Sequence, residues 1–68
     1  MPIAKIHILE GRSREQKQEL IQEVTGAINR SLGANPEKIK VLLIEIPKDN
    51  WATAGVTKSE EDNRASLS

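Results

Sequence analysis

The chain reads as a small α/β domain, one βαβ unit whose two strands run parallel. Three observations predict this. An Ile-rich run opens the chain over residues 3–9, and a second apolar run fills residues 39–46; both have the β-branched content of strands. Between them, apolar residues recur at Leu20, Ile21, Val24, Ala27, Ile28 and Leu32, the spacing of one helix face. Strands joined by such a crossover pair side by side in the same direction, with right-handed connection.

The first strand carries Pro2 at its tip, directly behind Met1. Cells usually trim an initiator Met that precedes so small a residue, which would leave Pro2 as a free secondary amine. Such an amine has an ordinary pKa of about 8. Apolar walls and nearby cations both favour its neutral form, so in a pocket it can act as a general base or nucleophile. A proline opening a strand is also unremarkable, because its missing N–H is not needed there. Pro2 alone decides nothing.

Ser13 followed by Gln16 is a capping-box pattern and predicts a helix from Arg14 to Leu32. Lys17, Glu19, Gln22, Glu23 and Arg30 are expected on its solvated face. Gly33 supplies the stop and Pro36 follows. Gly26, inside the helix, costs about 1 kcal/mol against Ala and suggests close packing on a strand. In the second strand Ile39, Val41 and Leu43 alternate with Leu42, Ile44 and Ile46, while in the first Ala4, Ile6 and Ile8 oppose Ile3 and Leu9. Both sheet faces are largely apolar, and one helix covers only one of them. The other must meet a second chain.

Beyond Pro47 the signal weakens. Asp49-Asn50 is a turn, residues 51–57 suit a short hairpin or an arm, and residues 58–68 read as a polar, poorly ordered tail. The domain is therefore expected to span residues 1–57.

Sixty-eight residues are few for a self-contained core. Chains of this size are usually stapled by disulfides, a metal or partner subunits. There is no Cys, and His7 with the scattered carboxylates lacks metal-site spacing. Oligomerisation remains. Ten basic and ten acidic residues balance to zero net charge, which argues against a nucleic-acid partner. Trp51 is the only aromatic residue, so base-stacking platforms are not expected either. No membrane span or signal-peptide pattern is present, and the expected location is cytoplasmic.

The run Pro2-Ile3-Ala4-Lys5-Ile6-His7-Ile8-Leu9-Glu10-Gly11-Arg12-Ser13, followed by Glu15-Gln16-Lys17, closely resembles the start of the 4-oxalocrotonate (2-hydroxymuconate) tautomerases. The similarity extends through the helix and second strand to Trp51, about the first 55 residues. It implies βαβ protomers that pair into a four-stranded sheet, and dimers assembled as a homo-hexamer, a trimer of dimers. It implies ketonisation of a 2-hydroxydienoate dicarboxylate from aromatic hydrocarbon catabolism, without cofactor or metal. Pro2 matches the catalytic proline and Arg12 an arginine that binds the distal carboxylate. Trp51 matches an aromatic residue of the apolar wall, and Leu9 joins the substrate-binding set.

Two departures matter. Lys40 stands where the best-known members carry a second arginine, and offers a point contact in place of a planar fork. Ala52-Thr53-Ala54-Gly55 replaces a glycine-rich turn, and β-branched Thr53 resists positive φ. His7 is expected to be structural. The alternatives are a dehalogenase or hydratase acting on a haloacrylate, with Asp49 activating water, and a non-catalytic subunit of a hetero-oligomeric tautomerase assembly.

Overall fold

β1 (Ile3–Leu9) and β2 (Lys40–Ile46) lie side by side as a parallel pair, with Ile3 opposite Lys40 and Leu9 opposite Ile46. The computed structural model describes residues 2–67, so the expected removal of Met1 concerns a residue outside those described. The ladder is continued at both ends, by Lys40 N–H donating to the Pro2 carbonyl at 3.0 Å and by Glu10 N–H donating to Ile46 at 3.1 Å. β2 starts one residue later than its apolar run. The Ile39 N–H instead closes a 3-10 turn, Pro36–Lys38, onto the Pro36 carbonyl.

Helix α1 (Arg14–Leu32) crosses over between the two strands. Its start is the predicted capping box: Gln16 N–H donates to Ser13 Oγ at 3.1 Å, and Ser13 N–H donates to Gln16 Oε1 at 3.0 Å. Its end is the predicted glycine, for Gly33 takes a φ of 66° and returns its N–H to Asn29. Gly26 is different from expectation. A Cβ there would meet only the Arg30 guanidinium, at 3.1 Å, and no strand atom. The site is spacious toward the sheet, and close packing does not require this glycine.

α1 covers the sheet face that carries Ala4, Ile6, Ile8, Val41 and Leu43, all half-buried. The opposite face presents Ile3, Lys5, His7, Lys40 and Leu42 to water, with Ile3 54% and Leu42 47% exposed. The two-faced pattern read from the strands is thus realised, and one layer is missing. Among the described residues none is buried. The radius of gyration is 15.9 Å, against about 11 Å for a globular domain of this length.

After β2, a second 3-10 turn, Lys48–Asn50, leads into a hairpin of β3 (Ala52–Thr53) and β4 (Val56–Thr57). Its two-residue turn takes positive φ at both positions, 53° at Ala54 and 81° at Gly55, as tight hairpins require. Thr53 escapes the conflict by lying in β3. The strain falls on Ala54, where the left-handed region costs about 1 kcal/mol.

The segment expected as a poorly ordered tail continues as helix α2 (Lys58–Leu67). Thr57 Oγ1 accepts from Glu60 N–H at 3.2 Å, and Thr57 with Glu60 repeats the spacing that opens α1. Lys58 pairs with Asp62 at 3.5 Å and Arg64 with Glu60 at 3.7 Å, one helical turn apart. Docking adds Lys48 to Asp62 at 2.8 Å and the Ser59 hydroxyl donating to Asp49. Among the described side chains, that network attaches α2.

With no buried residue among those described and an open apolar face, the protein is expected to sediment as an oligomer. Leu42→Asp, which puts a carboxylate on that face, is expected to lose assembly and far-UV helical signal together at micromolar concentration. A stable, folded wild-type monomer would overturn this.

A second expectation concerns α2. The hydrogen bond from Lys48 holds the Asp62 carboxyl below its ordinary 3.8, and the same bond raises Lys48 above 10.5. The Asp62 contribution is present above pH 3.8 and fades as pH falls through the lowered value. The Lys48 contribution is present below pH 10.5 and fades as pH rises through the raised one. Amide protection factors across residues 58–67, taken relative to intrinsic exchange rates at each pH, should therefore fall at both extremes, and Asp62→Asn should lower them at neutral pH while α1 stays protected. Unchanged exchange would mean that α2 is held by other contacts.

Candidate active site

The residues singled out from the sequence fall into two groups at opposite ends of the sheet. Pro2 precedes β1 and is half-buried, and its carbonyl is tied to the Lys40 N–H. Lys40 opens β2 beside Ile3, with an exposed side chain on the face that α1 leaves open. These two residues are neighbours.

Arg12 lies at the other end, in the exposed turn between β1 and α1. Gly11, at a φ of 111°, turns the chain there, a conformation that suits glycine. Arg12 lines a cavity of about 140 Å³ together with Ile8, Gln16, Lys17 and Leu20. Ile8 and Leu20 make its apolar floor. Two cations and an amide make its wall, and no carboxylate lines it.

Leu9 is also at this end, half-buried beside Ile46, but it alternates with Ile8 and faces away from the cavity. Trp51 follows the Lys48–Asn50 turn and is half-buried. Its position is fixed by its backbone: its carbonyl accepts from Lys58 N–H at 2.7 Å, and its N–H reaches the Lys48 carbonyl at 3.4 Å. Neither Leu9 nor Trp51 lines the cavity beside Arg12.

One chain therefore does not bring Pro2 and Arg12 together. The seven residues of β1 separate them, a length of roughly 23 Å at about 3.3 Å per residue. A six-carbon diacid spans less than about 10 Å.

Gln16 and Lys17 are additions to the expected set. Lys17 is not on the solvated face: its side chain is only 29% exposed, and its Nζ lies 2.9 Å from Glu45 Oε1 on β2. The spacing contained the signal, since Lys17 precedes Leu20, Ile21 and Val24 by three, four and seven positions and shares their stripe. Among the described residues, no group of three His, Asp or Glu is placed to hold a metal, and no helix is long and apolar enough to cross a membrane.

The fold is a parallel βαβ unit with a proline directly ahead of its first strand. A family model described as tautomerase enzyme matches residues 2–61, and the chain belongs to that family. A 2-hydroxymuconate tautomerase of Stutzerimonas stutzeri is 54% identical over 55 residues, covering 81% of this chain and 87% of the relative. A 4-oxalocrotonate tautomerase isozyme from Methylibium petroleiphilum superposes with a TM-score of 0.90 at 30% identity, over 93% of this chain and 98% of that one. A heterohexamer 4-oxalocrotonate tautomerase from Chloroflexus aurantiacus superposes with a TM-score of 0.84 at 30% identity, over 88% and 97% of the two chains.

Proposed function

We propose that the chain is the subunit of an oligomeric tautomerase that ketonises a 2-hydroxymuconate-type dicarboxylate, with each active site shared between protomers. The observation that carries this reading is the separation of the two half-sites along β1, with no buried residue among those described. A two-fold pairing of two such sheets, strands antiparallel across the contact, sets the Pro2 and Lys40 end of one protomer beside the Arg12 end of its neighbour. The same contact pairs an edge strand that is otherwise open to solvent. Three such dimers, placed with their open faces inward, would bury Ile3 and Leu42.

In this site the Pro2 nitrogen accepts the proton of the substrate 2-hydroxyl. The oxygen becomes a carbonyl, the conjugated double bonds shift, and the prolyl N–H returns the proton to carbon. The reaction is a net isomerisation that regenerates the base, and it calls on no cofactor. Arg12 binds the far carboxylate and draws negative charge toward it. Lys40 holds the near carboxylate by a point contact, which orients it less strictly than an arginine fork. Trp51 and Leu9 do not line the cavity beside Arg12 within one chain. In this reading they are assigned to the wall around the conjugated chain in the assembled site, where they would exclude water and favour the neutral amine. The names of close relatives support the substrate class.

The haloacrylate alternative depends on Asp49 as the activator of water. Its carboxylate already accepts from Ser59 in the contact that docks α2, which weighs against that role. A non-catalytic subunit within a hetero-oligomer finds a precedent in a heterohexameric relative, and the following measurements separate it from the reading preferred here.

Protein that retains Met1 carries Pro2 as an amide without basicity. It is expected to assemble normally and to turn over 2-hydroxymuconate about 10²–10⁴-fold more slowly than processed protein. Equal turnover by both forms, with mass spectrometry confirming their N-termini, would remove Pro2 as the base.

Sharing of the site has its own test. Pro2→Ala and Arg12→Ala proteins, each of low activity alone, are unfolded together and refolded as a mixture. Random assembly should restore both residues at about a quarter of the sites, with activity to match. No recovery in correctly sized mixed oligomers would mean that each site takes both residues from one protomer, which would overturn the sharing.

A further inference from the structure

Glu45 stands in the same row of β2 as Val41 and Leu43, on the side covered by α1. Lys17 answers it from the helix at 2.9 Å, across 28 positions of sequence. Stability does not explain this pair. Its side chains are 29% and 40% exposed, and pairs so placed contribute on the order of 1 kcal/mol or less. Two apolar side chains would close the layer at least as well.

What the pair does achieve is placement. Glu45 is not part of the cavity wall, whereas Lys17 is. The carboxylate behind it holds the ammonium at the cavity rim, next to Arg12 and over the floor of Ile8 and Leu20. An ammonium has three donors, so one bond to Glu45 leaves two for an anion. Gln16 adds to this. Its oxygen is occupied by the Ser13 N–H, which leaves its NH₂ group as the free end. The cavity therefore offers donors from Arg12, Lys17 and Gln16 above an apolar floor, a combination that fits a carboxylate at the end of a short hydrocarbon chain.

We propose that Lys17 is a further substrate-binding residue, closing on the same carboxylate as Arg12, and that Glu45 is the positioning residue that fixes its ammonium. This rests on the carboxylate-binding part of the reading above, and is independent of Pro2 as the base. The ligand class is an organic diacid with a short apolar body.

The test uses the assembled protein and a non-reacting probe, a saturated six-carbon dicarboxylate, with its uncharged diamide as control. Lys17→Met is expected to weaken the diacid by about tenfold and to raise KM for the dienol substrate in proportion, with kcat nearly unchanged. The diamide should bind equally to both proteins. Glu45→Gln should shift diacid affinity in the same direction by a smaller factor, and Lys17→Arg should restore it. Sedimentation and thermal melting of each variant identify any loss of assembly. An unchanged diacid Kd in a correctly assembled Lys17→Met protein overturns the assignment, as does an equal loss for diacid and diamide. Because binding is read without turnover, the two readings fail separately. Diacid binding that depends on Lys17, in a processed protein that turns over no dienol, would sink only the tautomerase reaction. Turnover that depends on Pro2 but not on Lys17 would sink only this assignment.

Discussion

The β1–β2 sheet has two faces, and of the two helices described only α1 packs against it, since α2 docks on the Lys48–Asn50 turn and β4. Everything else in the molecule is arranged around that shortage. The covered face packs Ala4, Ile6, Ile8, Val41 and Leu43 under α1, yet even these remain only half-buried. The uncovered face leaves Ile3 and Leu42 in water. Full burial of such a side chain is worth about 1.5–3 kcal/mol, so most of the stabilisation available to this sequence lies in contacts that one chain cannot make. If the chain assembles as proposed, folding and assembly would be coupled and protomer concentration would enter the stability itself.

The same geometry divides the chemistry. Pro2 and Lys40 belong to the end where β1 and β2 begin, and Arg12 to the end where β1 stops. A parallel pair places both strand starts together, so no rearrangement of loops within one protomer brings the groups into reach. In the reading proposed above, the surface that would complete the core would also complete the site.

Much of this was legible in the residues. The Ser13 and Gln16 pair, the stripe from Leu20 to Leu32 and the φ > 0 at Gly33 are local signals, and each acts within one or two turns of chain. The resemblance of the N-terminal run carried Pro2 and Arg12 as candidates. Three features were hidden, for different reasons. Lys17 reads as solvent-facing because its charge outweighs its spacing, and only Glu45, far along the chain, shows why it turns inward. Residues 58–67 are polar enough to read as a tail; their helix depends on the Thr57 cap and on Lys48 and Asp49 from an earlier turn. The hairpin moved its strain from Thr53 to Ala54, a choice made by register rather than by the preference of any single residue.

β1 can finally be regarded as a ruler with coarse graduations. Its side chains alternate, so inserting one residue between Pro2 and Arg12 would exchange Ile8 and Leu9 between faces and replace the cavity floor with a group from the open side. Only steps of two residues preserve the faces, and each such step lengthens the strand by roughly 6.6 Å. Fine adjustment by strand length is closed to this architecture. Differences in reach must instead be written in side chains at the ends, such as Lys40 at the start of β2.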